Sequence, residues 1–213
     1  MDLSELLGPL LSPAFTLGGV PTSWAELLGF VTGVLTVWLV VRQHIWNWPI
    51  SVANVVLLGL VFLTAGLYAD AALQIVYVVL ALYGWWQWLY GGADRSRLTV
   101  SRTGRGEWAA LIVCGAAATA GLTWVLARYT DSSVPFWDAL TTALSLMATY
   151  GQSRKLLESW WLWITVDVVY IPLYAYKGLY LTSALYVIFL ALCVAGLAAW
   201  RRDLVTRPEP VAA

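Results

Sequence analysis

Charge is what this sequence is short of. Only 11% of its 213 residues are Asp, Glu, Lys or Arg, twelve of each sign, against about 25% in a soluble domain. A water-facing globule cannot be covered with so few charges. The balance leaves no basic excess to hold nucleic acid and no bulk field to steer a charged partner. Histidine is limited to His44, and the two cysteines, Cys114 and Cys193, both fall inside apolar runs, so a disulfide framework and a CxxC metal site are excluded. Glycine-rich phosphate loops, HExxH and GxSxG are absent too, so the chain reads as no enzyme, with no cofactor and no metal.

What is abundant is apolar length. Hydrophobic residues make up 61% of the chain and the mean hydropathy is +0.74. Crossing about 30 Å of hydrocarbon takes roughly 20 mostly apolar residues. Seven stretches qualify: Trp24 to Val41, Ile45 to Ala65, Leu67 to Tyr90, Trp108 to Ala127, Phe136 to Tyr150 with its flanks, Ser159 to Tyr176, and Leu179 to Trp200. They are continuously apolar rather than alternating, which speaks for helices over barrel strands. Residues 1–22 contain Pro9 and Pro13 and lack a basic start, so they read as a segment at the membrane surface and not a signal peptide.

Orientation follows from the basic residues. Arg42, Arg95, Arg97, Arg102, Arg105, Arg154, Lys155, Arg201, Arg202 and Arg207 lie on one side of the seven spans, and only Arg128 and Lys177 on the other. The positive-inside rule puts the N-terminus outside and the C-terminus in the cytoplasm. The basic loop 91–106 is read as a topology determinant.

One offset recurs along the chain. A shift of 112 maps Gly66-Leu67-Tyr68 onto Gly178-Leu179-Tyr180, and also Glu26 onto Asp138, Arg42 onto Arg154, Trp48 onto Trp160, Gly84 onto Gly196 and Trp88 onto Trp200. Residues 23–90 and 135–202 are therefore expected to be two copies of a three-helix unit. Residues 91–134 then supply a loop and a linker helix, and 203–213 a tail. One extra span between two odd-numbered units leaves them in the same sense. The expectation is an all-α integral membrane protein in a 3+1+3 parallel-repeat layout, with solute between the halves near the midplane.

Polar groups at membrane depth mark candidate sites, because the bilayer does not solvate them. Asn54 and Asp167 lie mid-span in the second helix of each copy. Trp160, Trp163, Asp167, Tyr170 and Tyr174 follow helical steps along one face. Gln74, Tyr77, Ala81, Gly84 and Trp88 form another stripe, mirrored by Tyr186, Phe189, Cys193, Gly196 and Trp200. Asn47 and Ser51 join Asn54, and Asp138, Thr141, Ser145, Thr149 and Gln152 line the fifth span. Such groups also serve as packing glue between helices. Glu26 and Asp138 suit helix N-termini, and Trp24, Trp46, Trp48, Trp85, Trp88 and Trp200 read as interfacial belt residues. Asp167 and its aromatic neighbours suit a flat solute, and an organic cation in particular.

At these residues the chain resembles the PnuC family of bacterial vitamin transporters. The segments are Trp46 to Trp88 and Pro135 to Trp200, with ANV in the second span, LYAxxxLQ ending at Gln74, YGWWQW closing the third span, PFWD, and WxxW in the sixth. The resemblance implies a seven-helix SWEET-like fold in the bacterial inner membrane. It also implies facilitated diffusion of nicotinamide riboside, a vitamin precursor trapped by cytosolic phosphorylation. Substrate contacts would carry over to Asn54, Gln74, Trp160, Trp163 and Asp167, and helical spacing adds Tyr170. The family often has Asn where this chain has Asp167. Thiamine and riboflavin are the alternative substrates, riboflavin being the least attractive on charge grounds. Partners are then a small molecule and the lipid bilayer; a homo-oligomer is allowed without being specified. A non-transporting scaffold or receptor is the alternative of another class, and it would need no midplane carboxylate.

Overall fold

The computed structural model describes residues 8–17, 20–64, 68–130, 133–176 and 180–206. Gly66, Leu67, Lys177, Gly178, Leu179, Arg207 and the side chain of Glu26, all used in the reading above, lie outside the described residues. Residues 8–11 are helical, and strands β1 (Pro13–Leu17) and β2 (Val20–Ser23) pair antiparallel. This hairpin stands within the stretch expected to lie at the membrane surface. Seven helices of 18 residues or more follow among the described residues: α1 (Trp24–Val41), α2 (Asn47–Thr64), α3 (Tyr68–Tyr90), α4 (Arg105–Tyr129), α5 (Pro135–Ser153), α6 (Ser159–Tyr176) and α7 (Tyr180–Thr206).

Among the described residues three segments are both long and apolar enough to cross a membrane: Ala71–Tyr90, Arg105–Tyr129 and Thr182–Thr206. Leu27–Val41 and Asn47–Leu63 are apolar but shorter. Large apolar side chains such as Ile75, Ile112, Val113 and Trp124 are at least 60% exposed. A soluble monomer rarely exposes so many large apolar side chains; lipid accepts them without cost.

The chain divides into two compact units at Trp85. In the first, α1 packs on α2; in the second, α4 packs on α5, α5 on α6 and α6 on α7. The helix read as a linker therefore belongs to the second unit.

Both units contain the same helix-ending turn, built from different residues. At the end of α1, His44 N–H donates to Leu39 O at 2.9 Å and Gln43 N–H to Val40 O at 2.9 Å. At the end of α5, Leu156 N–H donates to Gly151 O at 2.8 Å and Lys155 N–H to Gln152 O at 3.0 Å. This is the Schellman pattern, which satisfies carbonyls left over at a helix C-terminus. It needs a left-handed residue, and Gln43 (φ 50°) and Lys155 (φ 51°) take that role. A buried polar side chain then locks each turn. Asn47 Nδ2 donates to His44 O and Ser159 Oγ to Leu156 O, both at 2.8 Å.

A second matched feature is an indole seated on a glycine. Trp48 lies on Gly84 in the first unit, and Trp160 on Gly196 in the second, so close that any side chain at either glycine would overlap the ring. This corrects the reading of the span-end tryptophans as a belt. Trp48, Trp88 and Trp200 are buried, whereas Trp24 and Trp46 stand about half exposed or more. In the second unit Trp200 meets Trp160 edge-on at 5.3 Å and Trp88 at 6.2 Å. For Trp48 and Trp160 the glycine notch decides where the ring goes.

The basic loop after α3 does more than carry charge. Ser101 N–H donates to Lys155 O at 3.0 Å, and Leu157 N–H donates back to Ser101 O at 2.9 Å. Glu158 Oε2 accepts from Thr103 N–H (2.8 Å) and Thr103 Oγ1 (2.9 Å). Val100 is buried, and Lys155 Nζ sits 4.3 Å from the centre of a Trp88 ring, a cation–π contact. The loop is thus a strap across the α5–α6 turn. Glu158→Ala should raise the rate of tryptic cleavage at Arg102 in the purified protein about tenfold, the effect of losing about 1.4 kcal/mol of local hydrogen bonding. An unchanged cleavage rate would show that Glu158 does not hold the strap.

Candidate functional site

The face of α6 expected to carry the site meets α7 rung by rung. At one end Trp160 lies on Gly196 and against Trp200. Further along, the Asp167 carboxyl group shares a hydrogen bond with the Cys193 thiol. Beyond that, Tyr170, Tyr174 and Tyr186 cluster, with ring centres 4.8 Å apart for Tyr170 and Tyr186 and 5.3 Å for the stacked Tyr174 and Tyr186. Two stripes that helical spacing drew separately therefore interlock. Helices running in opposite directions with matched 3-4 spacing bring such rows together.

The polar atoms along this ladder are its most telling feature. Buried groups without a hydrogen-bond partner include Trp160 Nε1, Trp163 Nε1 and Asp167 Oδ2, all on α6. Trp160 and Asp167 are essentially inaccessible, at 0% and 2% exposure. Over nine in ten buried polar groups in folded proteins find a partner, because leaving one unmade costs about 1–3 kcal/mol. Two donors and one acceptor thus stand unpartnered within eight residues of this helix.

In the first unit the candidate residues are differently engaged. Asn54 Nδ2 donates to Thr32 Oγ1 at 2.5 Å and to Gly29 O at 3.3 Å, tying α2 to α1. This is the packing role open to any mid-span amide. Gln74 is half-buried, and its Cβ would stand 3.4 Å from a methyl group placed on Gly59. Thr36 Oγ1, a turn along α1 from Thr32, is buried without a partner, and no sequence signal marked it. Asp138 occupies the first turn of α5, where a carboxylate favours the helix start.

An apolar hollow lies elsewhere. It is an open groove of about 680 Å³ between α4 and α5, lined by Ile112, Ala116, Trp124, Leu140 and Met147 among others. Its lining is almost wholly apolar and holds none of the unpartnered groups, so it suits hydrocarbon better than a polar solute.

With this geometry in hand, known proteins add a decisive match. The sequence pattern of the nicotinamide mononucleotide transporter family covers residues 23–202. The chain belongs to that family. It is 32% identical to the riboflavin/roseoflavin transporter RibM of Streptomyces davaonensis, over 91% of this chain and 94% of RibM. It is 25% identical to the nicotinamide riboside transporter PnuC of Escherichia coli, over 94% of each. A crystal structure of the vitamin B3 transporter PnuC shares its fold, with a TM-score of 0.67 and 24% identity, covering 87% of this chain and 83% of that one. The protein is thus a helical membrane transporter of the PnuC family and not an enzyme.

Proposed function

We propose that the chain is a uniporter for nicotinamide riboside in the bacterial inner membrane. All seven helices would cross the bilayer, with the N-terminus outside and the α3–α4 and α5–α6 loops in the cytoplasm. The observation that carries the substrate is the trio on α6. Trp160 and Trp163 offer unused N–H donors, the half-buried Trp163 also offers a flat surface, and Asp167 Oδ2 offers an unused acceptor. A pyridinium ring bearing a carboxamide and a ribose would meet all three, its charge facing the carboxylate and its face an indole. Tyr170, on the same helix face, would supply a further contact. The matched turns at Gln43 and Lys155 and the two tryptophan–glycine seats support a duplicated three-helix unit in the 3+1+3 arrangement.

Riboflavin is the second reading, favoured by the 32% identity to a riboflavin transporter. The same trio would offer two donors and one acceptor to the carbonyl and N–H groups of a flavin. Uptake of labelled nicotinamide riboside and riboflavin into proteoliposomes separates the two. The expected result is saturable entry of the riboside down its own gradient. A requirement for a sodium or proton gradient would refute uniport, and uptake of riboflavin alone would move the assignment to the second reading.

A further inference from the structure

Cys193 occupies a position where the fold asks only for something small. Its counterpart at the 112-residue offset is Ala81, buried like Cys193 itself, and the counterpart of Asp167 is Val55. At both positions the first sequence copy carries an apolar residue instead. In the second unit the thiol adds a donor where a methyl group would pack as well. That donor meets Asp167, which is 2% exposed and whose Oδ2 has no partner. A carboxylate turns readily about its terminal torsion, which has broad minima. Holding one oxygen decides which oxygen is left for a ligand and where it points. Support of this kind around a contact residue commonly sets affinity without touching the ligand.

We propose that Cys193 is the positioning residue of the α6 site: its thiol holds one oxygen of Asp167 and leaves Oδ2 for the transported solute. The inference rests on the substrate reading above for its effect on binding, but not for the hydrogen bond itself. It therefore has two separate readouts. The first is infrared spectroscopy of the S–H stretch in the Cys114→Ala protein, where Cys193 is the remaining thiol and Cys193→Ser identifies its band. Asp167→Asn should move that band to higher frequency, because a neutral amide draws the thiol hydrogen less than a carboxylate does. An unmoved band would overturn the proposal.

The second is binding of nicotinamide riboside, a cation, and riboflavin, a neutral molecule, to the same background. Cys193→Ala should weaken binding of the riboside about three- to tenfold, the range of one weak hydrogen bond. Cys193→Ser, which keeps a donor, should recover most of that loss, and riboflavin binding should change less than about twofold. In the Asp167→Asn background Cys193→Ala should have no further effect, the signature of two groups acting through each other. Equal losses in both backgrounds would make Cys193 a packing residue and overturn its positioning role. Failure of the parent protein to bind either vitamin would sink the substrate reading, and the S–H band would then decide the positioning claim alone.

Discussion

Gly196→Ala is expected to destabilise the protein by roughly 3 kcal/mol, the upper end of what overpacking a filled core costs. A Cβ at this position would stand 2.5 Å from Cζ2 and 2.6 Å from Cζ3 of Trp160. That ring cannot swing aside, being fully buried and braced edge-on by Trp200. Gly84→Ala should behave alike, since a Cβ there would meet Cζ2 and Cζ3 of Trp48 at 2.5 and 2.6 Å. Thermal unfolding in detergent reads the loss. Trp160→Phe combined with Gly196→Ala should recover part of it, because a smaller ring vacates the overlap. Strict additivity of the two changes would show that ring and glycine do not press on each other.

Asp167→Asn should weaken binding of a cationic solute at least tenfold, about 1.4 kcal/mol, while a neutral analogue of similar shape changes little. The substitution keeps the side chain's size and removes its charge, so it separates charge recognition from packing. The carboxyl group lies in a poorly solvating environment where one charge counts for more than it does in water. Calorimetric titration with nicotinamide riboside and with riboflavin measures both arms. Equal losses for the two solutes would make Asp167 a structural residue and remove the charge argument for the riboside.

How much of this could be read from the chain varies with the kind of interaction. The apolar runs gave the long helices, since length and hydropathy are local properties. The α6 stripe was legible because 3-4 spacing places residues on one face whatever lies opposite. That Asp167 meets Cys193 was not legible, because two separate stripes say nothing of their relative sliding. The seating of Trp48 and Trp160 was half legible: both the tryptophans and the glycines kept the offset of 112, yet Trp48 alone looked like an interface residue and Trp160 like a substrate contact. Gln43 and Lys155 gave no signal at all. A left-handed helix end usually announces itself with glycine, and here two long polar residues hold it instead. Nor did the strap show itself, since backbone pairing of the kind Ser101 makes leaves little trace in side-chain identity. Asn54 presents the opposite problem: its depth marked it, but depth does not tell a ligand contact from the bond it makes to Thr32.

The strap also bears on how the chain is assembled. Thr103 and the Glu158 that holds it are 55 residues apart. During synthesis the strap therefore leaves the ribosome well before its anchor exists. It must wait, unpaired and basic, while α4, α5 and the α5–α6 turn are made. Only then can Ser101 and Thr103 close on Lys155 and Glu158. The order of translation thus makes the second unit the last to be completed, and a truncated nascent chain ending before Glu158 would still carry an open loop.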